Sequence, residues 1–246
     1  MGADPALKGN RLLALLPDEE FQRLAPHLAI VDGVHHDVIY AVGANMERAH
    51  FPLTAVMSLI GTDAEGRTIE MASVGREGVV GLPGALAGGN MIGEVVQQVS
   101  GRHAGIPIAD LRAEIERRGV LSDIIERYTV ALLSQVGQSL VCLRHHRLDA
   151  RAARWLLATH DRVGRDDFVL TQDFLSIMLG VTRPQLSLAA GRLRRAGLID
   201  YTRGRVRIHD RPGLEATACE CYQVIQSEFR RLLRSSDGNG WQPVGG

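Results

Sequence analysis

The sequence predicts an α+β chain: a double-sheet β-roll of the jelly-roll kind (a double-stranded β-helix), then a long helix, then a C-terminal winged helix-turn-helix. Three observations carry this. Residues 28–108 are rich in Val, Ile and Gly, with turn residues about every ten positions. Residues 109–145 change to helical spacing. Residues 171–211 read as helix, tight turn, second helix and two short strands. The predicted organisation is 1–110 roll, 111–147 dimerisation helix and hinge, 148–235 winged domain, and 236–246 a polar, Gly-rich tail expected to be disordered.

A short helical segment over 11–26 precedes the roll. Strands are expected near 28–31, 38–41, 55–60, 68–74, 95–99 and 103–108. Thr62-Asp-Ala-Glu-Gly66 reads as a hairpin loop, with Gly66 taking positive φ. Glycines at 75, 78, 81, 84, 88, 89 and 93 interrupt the roll with a backbone-permissive loop. Gly75, Gly78, Gly81 and Leu82 are its candidate ligand-pocket residues, for a ligand the sequence does not identify.

In the long helix, Leu121, Ile124, Ile125, Tyr128, Leu132, Val136, Leu140 and Leu143 recur at three- and four-residue steps. Such a seam suits a partner helix. A parallel homodimer is expected, with Leu121, Ile125, Tyr128, Leu132, Val136, Leu140 and Leu143 at its interface. A second amphipathic helix spans 148–163, and a brief strand at 168–170 leads into the winged motif.

That motif starts with Thr171 as an N-cap, Asp173 in the first turn, and Phe174, Leu175, Met178 and Leu179 at helical spacing. Gly180 supplies the turn, Thr182 caps the second helix, and Pro184 sits in its first turn, where a missing N–H loses nothing. Leu186, Ala189, Ala190 and Leu193 form the expected buried stripe. Arg183, Gln185, Ser187 and Leu188 face outward. The wing is 198–201, Thr202-Arg-Gly204, then 205–209, and a closing helix is expected over 211–234.

Charge agrees with this reading. Between 183 and 211 there are eight arginines and two acidic residues, on a chain whose formal net charge is zero. Residues 1–147 hold 13 Lys and Arg against 17 Asp and Glu, and residues 148–246 hold 15 against 11. The basic end is therefore expected to meet double-stranded DNA. Arg183, Gln185, Ser187, Leu188, Arg203 and Arg205 are the candidate contacts.

The N-terminal apolar run is short and meets Asp18, Glu19 and Glu20, and no stretch is long enough for a membrane span, so a cytoplasmic protein without membrane partners is expected. Three cysteines, Cys142, Cys219 and Cys221, form an odd set with no CxxC spacing and fit a reducing compartment. Cys219-Glu-Cys221 offers two soft ligands where a structural zinc needs four, so no metal is assigned from the sequence.

The order of parts resembles the Crp/Fnr family of bacterial transcription regulators, over nearly the whole chain. The resemblance is carried by FPLTAVMSLIGTDAEGRTIEMASVGREGVVG (51–81), LGVTRPQLSLAAGRLRRAGLI (179–199) and DRPGLEATACECY (210–222). It implies a cyclic-nucleotide-binding-like roll, phosphate contacts at Thr171, Gln172 and Thr182, a guanine-reading Arg183, and RNA polymerase as a partner. The cyclic-AMP-binding members carry Glu and Arg where this chain has Pro184 and Leu188, so a different half-site is implied. Their pocket Gly-Glu-Leu is here Val80-Gly81-Leu82, and no Arg lies between Glu77 and Arg102, so cAMP is not expected to bind. The first cysteine is Cys142, which leaves an N-terminal iron–sulfur cluster unsupported, and no histidine spacing supports haem. The adjacent pair in Arg144-His145-His146-Arg147 reads as a solvated basic linker.

Two other readings compete. A jelly-roll metalloenzyme would need a facial ligand set, but His35 and His36 are adjacent and point to opposite faces, and Glu47 and His50 do not complete the set. No triad motif, phosphate loop or HExxH is present, so no enzyme is expected. An adaptor using the wing for protein contacts would have no need of Arg183 and Arg203-Gly-Arg205.

Overall fold

The computed structural model describes residues 4–233. The expected tail at 236–246 lies outside the described residues. The chain divides into two compact units: one runs to Leu59 and resumes over Ser73–Val130, and the other takes Ile60–Ala72 and Ala131–Arg231.

The first unit opens with short helices α1 (Arg11–Ala14) and α2 (Asp18–Leu24), the latter with Asp18, Glu19 and Glu20 at its positive end. Seven strands follow along the chain, of which the end of β4 and most of β5 fall in Ile60–Ala72: β1 (Ala29–Gly33), β2 (Val38–Tyr40), β3 (Arg48–Pro52), β4 (Val56–Thr62), β5 (Thr68–Val74), β6 (Glu94–Val99) and β7 (Gly101–Pro107). They form two sheets, ordered β1-β7-β3 and β2-β6-β4-β5. The double-sheet roll is as expected, but β3 has no counterpart among the six predicted strands. Its sequence, RAHFP, alternates polar and apolar residues over only four positions and ends on proline, and it pairs with β7 from Arg48↔Pro107 to Pro52↔His103. The glycine loop carries a short helix, α3 (Leu82–Leu86), entered through Gly81 at φ 97°.

The single helix expected over 109–145 is broken. α4 (Ile108–Glu116) ends, and α5 (Val120–His145) begins after Arg118, which adopts φ 57°. The Glu20 carboxylate accepts hydrogen bonds from the N–H groups of Val120 (2.8 Å) and Leu121 (2.9 Å). It thereby satisfies orphan donors at the start of α5. The break falls at Glu116-Arg117-Arg118-Gly119, where the apolar spacing lapses.

In the second unit, α6 (Leu148–Val163) ends at Gly164 in a left-handed conformation, φ 69°. Then come β8 (Asp167–Val169), α7 (Gln172–Met178), α8 (Arg183–Arg195), β9 (Ile199–Thr202) and β10 (Arg205–Ile208), with sheet order β8-β10-β9. The closing helix expected over 211–234 is two helices, α9 (Arg211–Thr217) and α10 (Cys221–Leu232). The break at 218–220 leaves Cys219 outside regular helix. Within this unit Trp155 Nε1 donates to Glu70 Oε2 at 2.7 Å. Among the described residues no helix is long and apolar enough to cross a membrane.

Candidate nucleic-acid interface

α8 has two faces. Leu186, Ala189, Ala190 and Leu193 are buried, while Arg183, Gln185, Ser187 and Leu188 are exposed, as the spacing predicts. The helix starts on a capping box: Gln185 Oε1 accepts from the Thr182 N–H (2.9 Å) and from its hydroxyl (3.1 Å). Gly180 makes the preceding turn at φ 61°. Arg151, buried on α6, donates to the carbonyl of Leu179 and so braces that turn from behind.

Several candidate contacts are engaged within the chain. The Thr171 hydroxyl caps α7 by accepting from the Phe174 N–H at 3.1 Å. Ser187 Oγ donates to Gln172 Oε1 at 2.9 Å. Arg183 Nε stands 3.4 Å from Asp173, with both side chains mostly exposed. An exposed pair of this kind is worth about 0–1 kcal/mol, so a stronger anion readily replaces it. Leu188 is 66% exposed, an uncovered apolar side chain in the middle of a polar face.

The wing is a two-residue hairpin. β9 and β10 are joined by Arg203-Gly204, both at positive φ (50° and 74°), the geometry of a type I′ turn. This sets the exposed Arg203 side chain at the tip. Arg205 pairs with Asp167 of β8, and that guanidinium holds the Asp167 carboxyl below its usual range. Arg194, Arg195 and Arg203 are exposed and have no hydrogen-bonded acidic partner among the described residues.

One arginine of the basic run belongs elsewhere. Arg211 turns inward and bonds Asp161 (2.7 Å), Tyr222 (2.8 Å), His160 (2.6 Å) and Glu215 (2.9 Å). It is part of the domain core, not of the basic face. Sequence counting cannot separate the two roles, because the partner Asp161 lies 50 positions away.

The seam residues also sort into two sets. Leu121, Ile125 and Tyr128 are fully covered by the chain's own residues, which corrects their assignment to a dimer interface. Tyr128 donates to the Val79 carbonyl at 3.2 Å and packs on Gly78, where a Cβ would lie 2.3 Å from its hydroxyl oxygen. Leu132 and Val136 are half-buried. Leu140 and Leu143 are exposed, and with Val130, Leu133 and Val141 they leave an apolar stripe along α5. The pocket-loop residues Gly75, Gly78, Gly81 and Leu82 are all buried, and the Arg48–Ala49 backbone lies against Gly81.

The turn, the capped second helix and the basic wing define a winged helix-turn-helix module. Residues 150–217 match the family of the Crp-like helix-turn-helix domain. The chain has the fold of Crp/Fnr transcriptional regulators, with the β-roll, the long helix and the helix-turn-helix in that order. It is similar to FixK2 of Bradyrhizobium japonicum, at TM-score 0.66 and 16% identity over 78% of this chain and 98% of that one. A putative Crp/Fnr-family regulator of Eubacterium rectale gives TM-score 0.66 and 15% identity over 85% and 98%. A CRP-family regulator of Thermus thermophilus gives 0.63 and 21% over 76% and 96%. No curated protein matches the chain in sequence.

Proposed function

We propose that the protein is a sequence-specific transcription regulator that binds a palindromic DNA site as a homodimer and acts on RNA polymerase at the promoter. The single observation that carries this is the exposed face of α8, where Arg183 and Leu188 are presented by a helix whose opposite stripe is buried. An arginine at the start of such a helix bonds bidentately to guanine O6 and N7, and a leucine five residues on touches a thymine methyl. Arg203 at the wing tip and the arginines ending α8 suit phosphates, which position the module without reading sequence.

The dimer rests on the exposed stripe of α5. Leu133, Leu140 and Val141 fall on one side of the helix, so the seam is rotated from the one read by periodicity. The effector, if the roll takes one, is not a cyclic nucleotide. The glycine loop itself carries no cation between Glu77 and Arg102, and the guanidinium that reaches it, Arg112, already bonds the Gly84 and Ala85 carbonyls; a buried phosphate without a cation is costly.

The test is selection of bound duplexes from a random library by the purified full chain. A two-fold symmetric consensus with half-sites about one helical turn apart is expected, with affinity falling steeply with salt. Binding without sequence preference would refute the reading.

A further inference from the structure

The break between α9 and α10 brings together residues that lie far apart in sequence. Cys142 and His146 stand four apart at the end of α5, on one face. Cys219 and Cys221 approach them from the α9–α10 junction. The Cys142 and Cys219 sulfurs are 3.4 Å apart, and Cys221 Sγ is 3.4 Å from His146 Nδ1. All four donor atoms lie within 4.8 Å of one another. The three cysteines are buried, and none is in a disulfide. Sequence spacing offers only Cys219 and Cys221 as ligands, because nothing in it brings residue 142 to residue 219.

Three features distinguish this group from thiols packed for bulk. A tetrahedral ion with sulfur ligands at about 2.3 Å sets ligand–ligand edges of about 3.8 Å, close to the spacings found. His146 turns Nδ1 toward the thiols, while its Nε2 faces Glu220 Oε1 at 3.0 Å. A carboxylate on the far nitrogen is the usual way a ligating imidazole is oriented. Gln138 Nε2 points at Cys221 Sγ at 3.1 Å, a donor suited to a thiolate. Simple apolar packing uses none of these polar groups, and a disulfide would use only two of the sulfurs.

We propose that Cys142, His146, Cys219 and Cys221 bind one thiophilic divalent ion of the zinc class, clamping the end of α5 to the α9–α10 junction. The donor set of three sulfurs and one nitrogen selects zinc-like ions over hard, oxygen-seeking ones. On binding, three thiols lose their protons to solvent and the imidazole binds as the neutral base, leaving a site of charge −1. Arg151 and Arg154 stand near enough to act electrostatically on Cys142. Arg154 is half-buried, and its Nε has no hydrogen-bond partner among the described residues. Their positive charge offsets that of the loaded site. The ion would sit within the unit that carries α8, and it goes beyond the proposed DNA reading without depending on it.

The experiment uses the untagged full chain, reduced, stripped with a chelator and titrated with Zn²⁺ and, separately, Co²⁺. One ion per chain is expected, with cobalt giving the intense visible bands of tetrahedral thiolate coordination. Zinc should protect all three cysteines from alkylation, and a chelator should restore their reactivity. C219S/C221S should lose the ion. Because that variant can misfold, the alkylation of wild type stands as an independent readout. Retention of no ion by the reduced protein, a cobalt spectrum without thiolate bands, or equal metal content in C219S/C221S would each overturn the proposal. Duplex binding measured in the same samples separates this outcome from failure of the DNA reading.

Discussion

Ser187 on α8 donates its hydroxyl to Gln172 on α7 at 2.9 Å, joining the two helices of the turn motif through two side chains that both face outward. The bond holds Gln172 toward α8 in the free protein. A phosphate only accepts, so Gln172 would meet it through its Nε2 donor while Oε1 keeps the Ser187 bond. Ser187→Ala is expected to change duplex affinity by no more than about 1 kcal/mol, within the net worth of one such bond. Fluorescence anisotropy on the selected duplex measures it, and a loss as large as that from Arg183→Ala would mean that Ser187 itself touches a base.

Arg211 holds a buried network together. Asp161 accepts from Arg211, from the Tyr222 hydroxyl (2.8 Å) and from Gln226 (2.7 Å). Arg211→Ala leaves a buried carboxylate without its cation, which is expected to cost about 3–5 kcal/mol. Urea unfolding should show the midpoint falling accordingly. If stability is unchanged and DNA affinity falls instead, the inward placement is wrong.

Tyr128 fills the space beside Gly78. A Cβ at position 78 would meet the ring and hydroxyl of Tyr128 at 2.3–2.7 Å. Gly78→Val is expected to destabilise the roll by about 1–3 kcal/mol through overpacking, and pairing it with Tyr128→Ala should recover part of that loss. Thermal unfolding of the double-mutant cycle reads the coupling. Strict additivity would argue against the contact.

The roll should weaken in acid. Burial drives His50 down to about 4, with His103 and Arg48 adding to the effect, and burial also lowers His35 and His103. Between the ordinary value near 6.5 and about 4, the unfolded chain takes a proton at His50 that the folded chain does not. Stability present above pH 6.5 is therefore lost as pH falls toward 4, to the extent of about 3 kcal/mol for His50 at full effect. His50→Gln should flatten this part of the profile, and an unchanged slope would contradict the assignment.

The recognition unit was legible in the sequence because each of its signals is local. Thr171, Gly180, Thr182 and Pro184 punctuate two helices, and the wing turn Arg203-Gly204 is two adjacent residues. What the sequence concealed depends on distant partners. Glu20 caps α5 from 100 residues away, Arg211 pairs across 50, and Cys142 meets Cys219 across 77. Strand β3 was missed because pairing with β7, not its own composition, makes it a strand. Helical spacing along α5 does not say which apolar residues the chain covers itself: Leu121, Ile125 and Tyr128 are covered, while Leu133, Leu140 and Val141 are not.

The central claim is that α8 reads base edges from the major groove. The direct test compares wild type, Arg183→Ala and Arg203→Ala against every single-base variant of the selected duplex. Arg183→Ala should cost about 1–3 kcal/mol on the consensus and abolish discrimination at one base position per half-site. Arg203→Ala should weaken all duplexes alike and lower the salt dependence. If Arg183→Ala keeps the full pattern of base preference, α8 does not read the groove and the account fails.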